Sequence, residues 1–211
     1  MKKTLLLFVV TSILLSCNDI KRLVGFSDNA TIIFKAPEKK NIIQFRDNTI
    51  KLPKGYLKIQ VAAFKKTLDT LQNKPKTKQF ALSELEKIEK KKIDFEIFVD
   101  EKNIENYVFV YACDFFQFDE QRAAEHVSGL SDQYKAASKR EKIYYRRIQG
   151  RYFYTPKSKV VKLKFMRAFK KERRYQTEYI VASKHGGIGL SVSNTENIDF
   201  EDSIKNSLVA N

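Results

Sequence analysis

Cysteine is scarce in this chain of 211 residues: only Cys17 and Cys113 occur. Once either is committed elsewhere no internal disulfide can form, and stability has to come from packing. Histidine is as scarce. His126 and His185 fall in no H-E-x-x-H spacing and beside no paired cysteines, which excludes a recognisable histidine-based metal site. Glycine is sparse too, and its one cluster, Gly186-Gly187-Ile188-Gly189, joins two strand-like runs. A nucleotide loop lies between strand and helix with a third glycine in register, so this cluster reads as a hairpin turn. Long apolar runs are missing: the run from Leu5 to Leu15 is too short for a membrane span. Acids are nearly absent from one stretch, since between Lys139 and Arg174 fifteen Lys or Arg stand against Glu141 and Glu172.

What is present begins with Lys2 and Lys3 ahead of that apolar run, which closes on Leu14-Leu15-Ser16-Cys17. A charged start, a short apolar segment and a small residue before the cut describe a signal peptide. The terminal cysteine makes the segment resemble the lipobox of bacterial lipoproteins. That resemblance implies removal of residues 1–16 and a diacylglyceryl group on Cys17, anchoring the protein to a bacterial envelope membrane without spanning it. Each buried methylene contributes about 0.8 kcal/mol, and two acyl chains give durable attachment where one is marginal. Residues 17–30 read as a tether, and 31–211 is long enough for one domain with its own core.

Within that domain the periodicity predicts early strands over Thr31–Lys35 and Asn41–Phe45, and a turn at Leu52-Pro53-Lys54-Gly55. Leu57, Val61, Phe64, Leu68 and Leu71 recur at helical spacing, with a strand over Tyr56–Val61 as the other reading. Ser83 with Glu86 has the form of a capping box opening a second helix. Ile93–Val99 and Asn106–Phe116 alternate as strands, turning through Asp100–Asn103. Asp119 can cap a helix whose inner face is Ala123, Val127, Leu130, Tyr134 and Ala137. From Ile143 the period returns to two, through 143–148, 150–154, 160–169, 175–182 and 187–192, as an antiparallel meander. A helix from Asp199 closes the chain, with Phe200, Ile204 and Leu208 on one face. Strands and helices in separate runs predict an α+β fold, an antiparallel β-sheet flanked by helices.

Four features, Ile50-Lys-Leu-Pro-Lys-Gly-Tyr, the helix after Asp119, Gln149-Gly-Arg-Tyr-Phe-Tyr and the closing Phe200–Leu208 helix, resemble the Mog1/PsbP-like fold over residues 41–211. The resemblance implies an α/β/α sandwich and a binding or assembly role, with no shared catalytic set. The residues agree. Cys113 reads as a small buried hydrophobe, His126 as a surface helix residue, and the acids Glu101, Glu105, Asp199, Glu201 and Asp202 as turn and helix-start residues. No cofactor or metal is implied.

The basic stretch supplies the candidate binding residues: Arg146, Arg147, Arg151, Lys157, Lys159, Lys162, Lys164 and Arg167. Lys162 and Lys164 alternate with Val161, Leu163 and Phe165, which predicts one packed and one charged sheet face. A one-sided positive field suits an anionic lipid, a glycan or an acidic protein. The Arg and Tyr interleaving also resembles nucleic-acid surfaces, but an exported protein meets little nucleic acid. Three readings follow: an envelope binding module using this face, a domain held flat on its own membrane by it, and an envelope hydrolase with carboxylates near Asp114 and Asp119 in a cleft. Cys17→Ala is expected to release the protein from membranes; complete retention of that variant in the membrane fraction would refute the anchor.

Overall fold

Strands form where β-branched and aromatic residues run together, and the run Tyr107 to Val110 is fully buried on both sides of the chain, as a central strand requires. The computed structural model describes residues 42–46, 48–113, 119–141, 143–183 and 186–205. Strands β1 (Ile42–Phe45) and β2 (Asn48–Lys51) pair as a separate two-stranded hairpin. Strand β3 (Tyr56–Ile59) leads into α1 (Val61–Asp69) and α2 (Pro75–Lys90). The hairpin of β4 (Phe95–Asp100) and β5 (Asn103–Cys113) precedes α3 (Glu120–Glu141). Strands β6 (Tyr144–Thr155), β7 (Ser158–Phe169), β8 (Glu172–Ser183) and β9 (Gly186–Asn194) form the meander, followed by α4 (Glu201–Lys205).

Among the described residues the main sheet has seven strands in the order β3-β4-β5-β9-β8-β7-β6, and every pairing is antiparallel. The fold is α+β. On one face the helices pack: Phe64 of α1 sets its ring 5.4 Å from Tyr107 and 5.6 Å from Phe109. Ala123 and Val127 of α3 lie on Val161, Leu163 and Phe165. The opposite face, with Val108, Val110, Val160, Tyr179, Val181, Leu190 and Val192, is covered by Phe45, Ile50 and Leu52 of the β1–β2 hairpin and by Phe200 and Ile204. Each such aliphatic or aromatic side chain stabilises the fold by about 1.5–3 kcal/mol on full burial.

Several expectations meet their elements. Asp119 accepts a hydrogen bond from the Arg122 backbone N–H at 2.9 Å, capping α3. The β4–β5 turn falls at Asp100–Asn103, and Ser183 pairs with Gly186 across the β8–β9 hairpin. Others are corrected. The stripe from Leu57 is split: Tyr56–Ile59 is strand and the helix starts at Val61. Ser83 opens no helix, because α2 begins eight residues earlier with Pro75 at its first turn, where a missing N–H costs nothing. The runs 143–148 and 150–154 are one strand, in which a bulge at Ile148 shifts the register between Arg147 and Gln149. The expected strand Thr31–Lys35, the acid Asp114 and the face residue Leu208 lie outside the described residues, as do His185 and Cys17.

The largest correction concerns β7. Lys162 and Lys164 do lie opposite Val161 and Leu163, yet that face is not solvated. The chain after β9 returns over it, so Lys162 has no exposed area and its ammonium bridges Asp199 and Glu201, the latter at 3.1 Å. Lys164 donates to the Ile198 carbonyl at 2.9 Å. Asp199 also receives the Tyr179 hydroxyl at 2.9 Å and the Glu201 N–H at 2.9 Å, so it caps α4 as it pairs. Burial pushes the Asp199 carboxyl up, but the Lys162 hydrogen bond and the cap outweigh it and hold the group below its usual value. Asp199→Ala is expected to cost about 2–4 kcal/mol in urea denaturation, since it strands part of a buried charge and removes the cap. Lys162→Met, which keeps the volume and leaves Asp199 and Glu201 with other donors, is expected to cost less than Asp199→Ala.

Candidate functional site

Among the described residues β6 pairs only with β7, which makes it an edge of the described sheet, and its twelve residues carry the exposed part of the basic stretch. Arg146, Arg147 and Arg151 are exposed, as is Lys157 in the β6–β7 turn, and Lys159 is half-buried. Between them Tyr144 (58%), Ile148 (42%) and Tyr154 (64%) are the large apolar side chains most open to solvent on this strand. Arg151 forms an ion pair with Glu201 at 3.0 Å. The guanidinium of Arg147 occupies the space a side chain at Gly150 would take. Lys162, Lys164 and Arg167 are buried and leave this surface. Arg167 points to the helix side and lies against the Phe80 ring of α2. A charged or apolar letter in a strand records the side of the sheet, not what later covers that side; hence the difference.

A second site appears on the helix side, between α2 and α3, as a cleft of about 470 Å³. Its walls are Phe80 and Ile88 from α2, Leu130 and Tyr134 from α3, and its floor is Tyr111, Glu178 and Ser191 from the sheet with Glu84 from α2. Lys87, Lys91 and Arg140 stand exposed at its margin. Tyr111 can lie flat on β9 because Gly189 has no side chain; a Cβ there would overlap the phenol ring. The two carboxylates share their donors. Gln176 Nε2 reaches Glu84 Oε1 at 2.7 Å and Glu178 Oε1 at 3.0 Å, and Ser191 Oγ stands 3.1 Å and 2.9 Å from the same two oxygens. Tyr107 donates to the other Glu84 oxygen at 2.7 Å.

Burial, and then the charge of Glu84, raise Glu178 to about 7. Burial likewise raises Glu84, against the pull of Arg167. A pair of carboxylates with raised protonation in a cleft is the kind of group used in acid–base chemistry. The geometry differs from that of an inverting glycosidase, in which the two groups flank a gap wide enough for sugar and water. Here both Oε1 atoms point at the same amide and hydroxyl. The expected acids near Asp119 are not part of this cleft. His126 is half-buried on α3, where burial lowers it. Glu105 is held structurally, by Lys74 and by Arg174 at 3.1 Å.

Sequence reasoning missed Glu84 and Glu178, although a signal existed. Glu84 occupies an inward position of α2 beside Ala81, Leu85 and Ile88, and Glu178 follows Gln176 on a strand face that continues as Ile180 and Ala182. Acids at core positions are rare unless paired or used.

The raised Glu178 sets a pH dependence. Unfolded, this carboxyl ionises near the ordinary glutamate value of 4.5, while folded it keeps its proton to about 7. Stability contributed by the protonated form is therefore complete below 4.5 and is lost as the pH rises to 7. Glu178→Gln is expected to be more stable than the parent at pH 8 by on the order of 1–3 kcal/mol, with little difference at pH 4, in urea denaturation. Comparison with known proteins finds no matching family model and no match among curated proteins.

Proposed function

We propose that this chain is a membrane-anchored cell-envelope lipoprotein, held through a lipid on Cys17, whose α+β domain is a non-enzymatic binding or assembly module engaging an acidic partner protein along β6. The observation that carries the reading is β6 itself. An edge strand presents a row of backbone N–H and C=O groups; the arginines and the bulge at Ile148 guard this one against pairing with strands like itself, whereas an acidic strand is attracted to it. This one is twelve residues long and sets Tyr144, Ile148 and Tyr154 beside Arg146, Arg147 and Arg151. Added strands gain affinity from main-chain hydrogen bonds and specificity from alternate side chains. An extended acidic segment complements that edge through both its backbone and its charge.

The resemblance to the Mog1/PsbP-like fold and the binding roles of that family support the same reading, although the second sheet face is covered by a β-hairpin and the short α4 instead of a full helical layer. An anionic lipid or glycan would use the same charges without needing the strand edge. Among the described residues no helix is long and apolar enough to cross a membrane, so the proposed attachment rests on Cys17. The hydrolase reading, expected from carboxylates near Asp114 and Asp119, would have to draw instead on Glu84 and Glu178, whose shared donors favour holding a ligand over flanking a bond to be cut.

The test uses only the exposed cations, because reversing Lys162, Lys164 or Arg167 would unfold the sheet. Arg146→Glu combined with Arg147→Glu and Lys157→Glu is expected to weaken binding of an extended acidic peptide about ten- to hundredfold at low salt. The parent's affinity should fall as salt is added. Undiminished peptide binding by the folded triple variant would overturn the assignment, and binding of anionic vesicles without peptide binding would move it to a lipid surface.

A further inference from the structure

The cleft between α2 and α3 holds more hydrogen-bond acceptors than donors. Ser191 has one proton and stands within reach of both Glu84 Oε1 and Glu178 Oε1, so it serves one carboxylate at a time. Gln176 spreads its two amide hydrogens over these oxygens and Ser191 Oγ at 2.6 Å, Tyr107 gives its one proton to Glu84 and Tyr134 stands 3.5 Å from Glu178, while Gln176 Oε1, in a side chain with no exposed area, has no donor among the described residues. Positive charge is short as well. The inner cation whose charge acts on Glu84, Arg167, lies against Phe80 with Nε and Nη2 unpartnered among the described residues. Lys87, Lys91 and Arg140 sit at the outer margin, where water screens them. Glu178 is half-buried because it opens into the 470 Å³ cavity, a volume that suits a small molecule.

We propose that this cleft binds a small zwitterionic amine, its primary ammonium seated at Glu178 and Glu84 beside Tyr111 and Tyr134, and its anionic group at Lys87, Lys91 and Arg140. An ammonium brings three donors and the missing positive charge to the acceptor-rich floor. Tyrosine ring faces favour a cation in the same place. A neutral polyol supplies donors but no charge. A simple anion is drawn to the margin and repelled by the acids, and a diamine is welcomed by the floor and repelled by the margin. One molecule carrying both signs satisfies both ends. The groups facing the ammonium are Glu84 from α2, Tyr134 from α3, Tyr111 from β5, Glu178 from β8 and Ser191 from β9, with Tyr145 of β6 also on the cleft wall. This inference does not depend on what β6 binds.

Isothermal titration of the full chain in detergent, with O-phosphoethanolamine, ethanolamine, inorganic phosphate and xylitol as probes, tests it. O-Phosphoethanolamine is expected to bind about tenfold tighter than ethanolamine, with phosphate and xylitol giving no saturable heat. Glu178→Gln should weaken both amines about ten- to hundredfold. Ala136→Trp, on the exposed wall of α3 and away from the acids, should block the cleft in a protein with unchanged thermal unfolding. Lys87→Ala with Arg140→Ala should erase the preference for the phosphorylated amine and leave ethanolamine unaffected. Ethanolamine affinity should rise between about pH 6 and about pH 8, as the acid pair gives up its proton. The proposal is overturned if phosphate or xylitol matches O-phosphoethanolamine. It is equally overturned if no probe binds at millimolar concentration, or if amine binding survives both Glu178→Gln and Ala136→Trp.

Discussion

A lysine without exposed surface in the middle of a β-sheet sets the terms for one whole side of this fold. Removing an ammonium from water costs several kcal/mol after relaxation, and only close opposite charge with full hydrogen bonding offsets it. Lys162 obtains both from Asp199 and Glu201, which reach it only if the chain beyond β9 turns back across β7. The same return places Phe200 and Ile204 on the apolar face and sets Asp199 under the Tyr179 hydroxyl. A single polar requirement thereby fixes the course of an otherwise short closing segment. The hydrophobic cover and the acids of the ion centre are carried by the same returning segment.

Two clusters on opposite sheet faces treat buried charge in opposite ways. Beneath α4 the cation has two acids, and one of these, Glu201, also meets Arg151 and Lys205, so the charges close into a network. Beneath α2 and α3, two acids share a glutamine and a serine, and Arg167, whose charge acts on Glu84, faces an aromatic ring. The first arrangement is what rigid structure calls for. The second is poised for something else to arrive, because a like-charged pair in a low-dielectric site must hold a proton, gain a counter-ion or loosen.

Much of the fold was legible in the residues. Alternation located β7 and β8 to within a few positions, and Asp119 ahead of a 3.6-residue stripe located α3. The failures have separate physical origins. The bulge at Ile148 adds one residue, inverts the alternation and makes one strand look like two. Ser83 and Glu86 have the right spacing for a cap, but the spacing is also that of successive turns inside a helix already begun at Pro75. The basic face was misjudged because the acids that neutralise Lys162 lie 37 and 39 residues away along the chain. The cleft was invisible for the same reason, since Glu84 and Ser191 meet across 107 residues. Local pattern reports periodicity, whereas burial of charge is a property of what the chain does later.

Tyr111 rests on Gly189 with no room for one additional carbon. That contact ties the capacity of the cleft to a single hydrogen atom on β9. A methyl group in its place would lift the phenol off the sheet and into the cavity, so the floor would rise while the strand pairing stayed intact. Descendants of this chain could thus retune or silence the cleft through alanine and glycine alone, leaving its acids, its basic margin and its edge strand untouched.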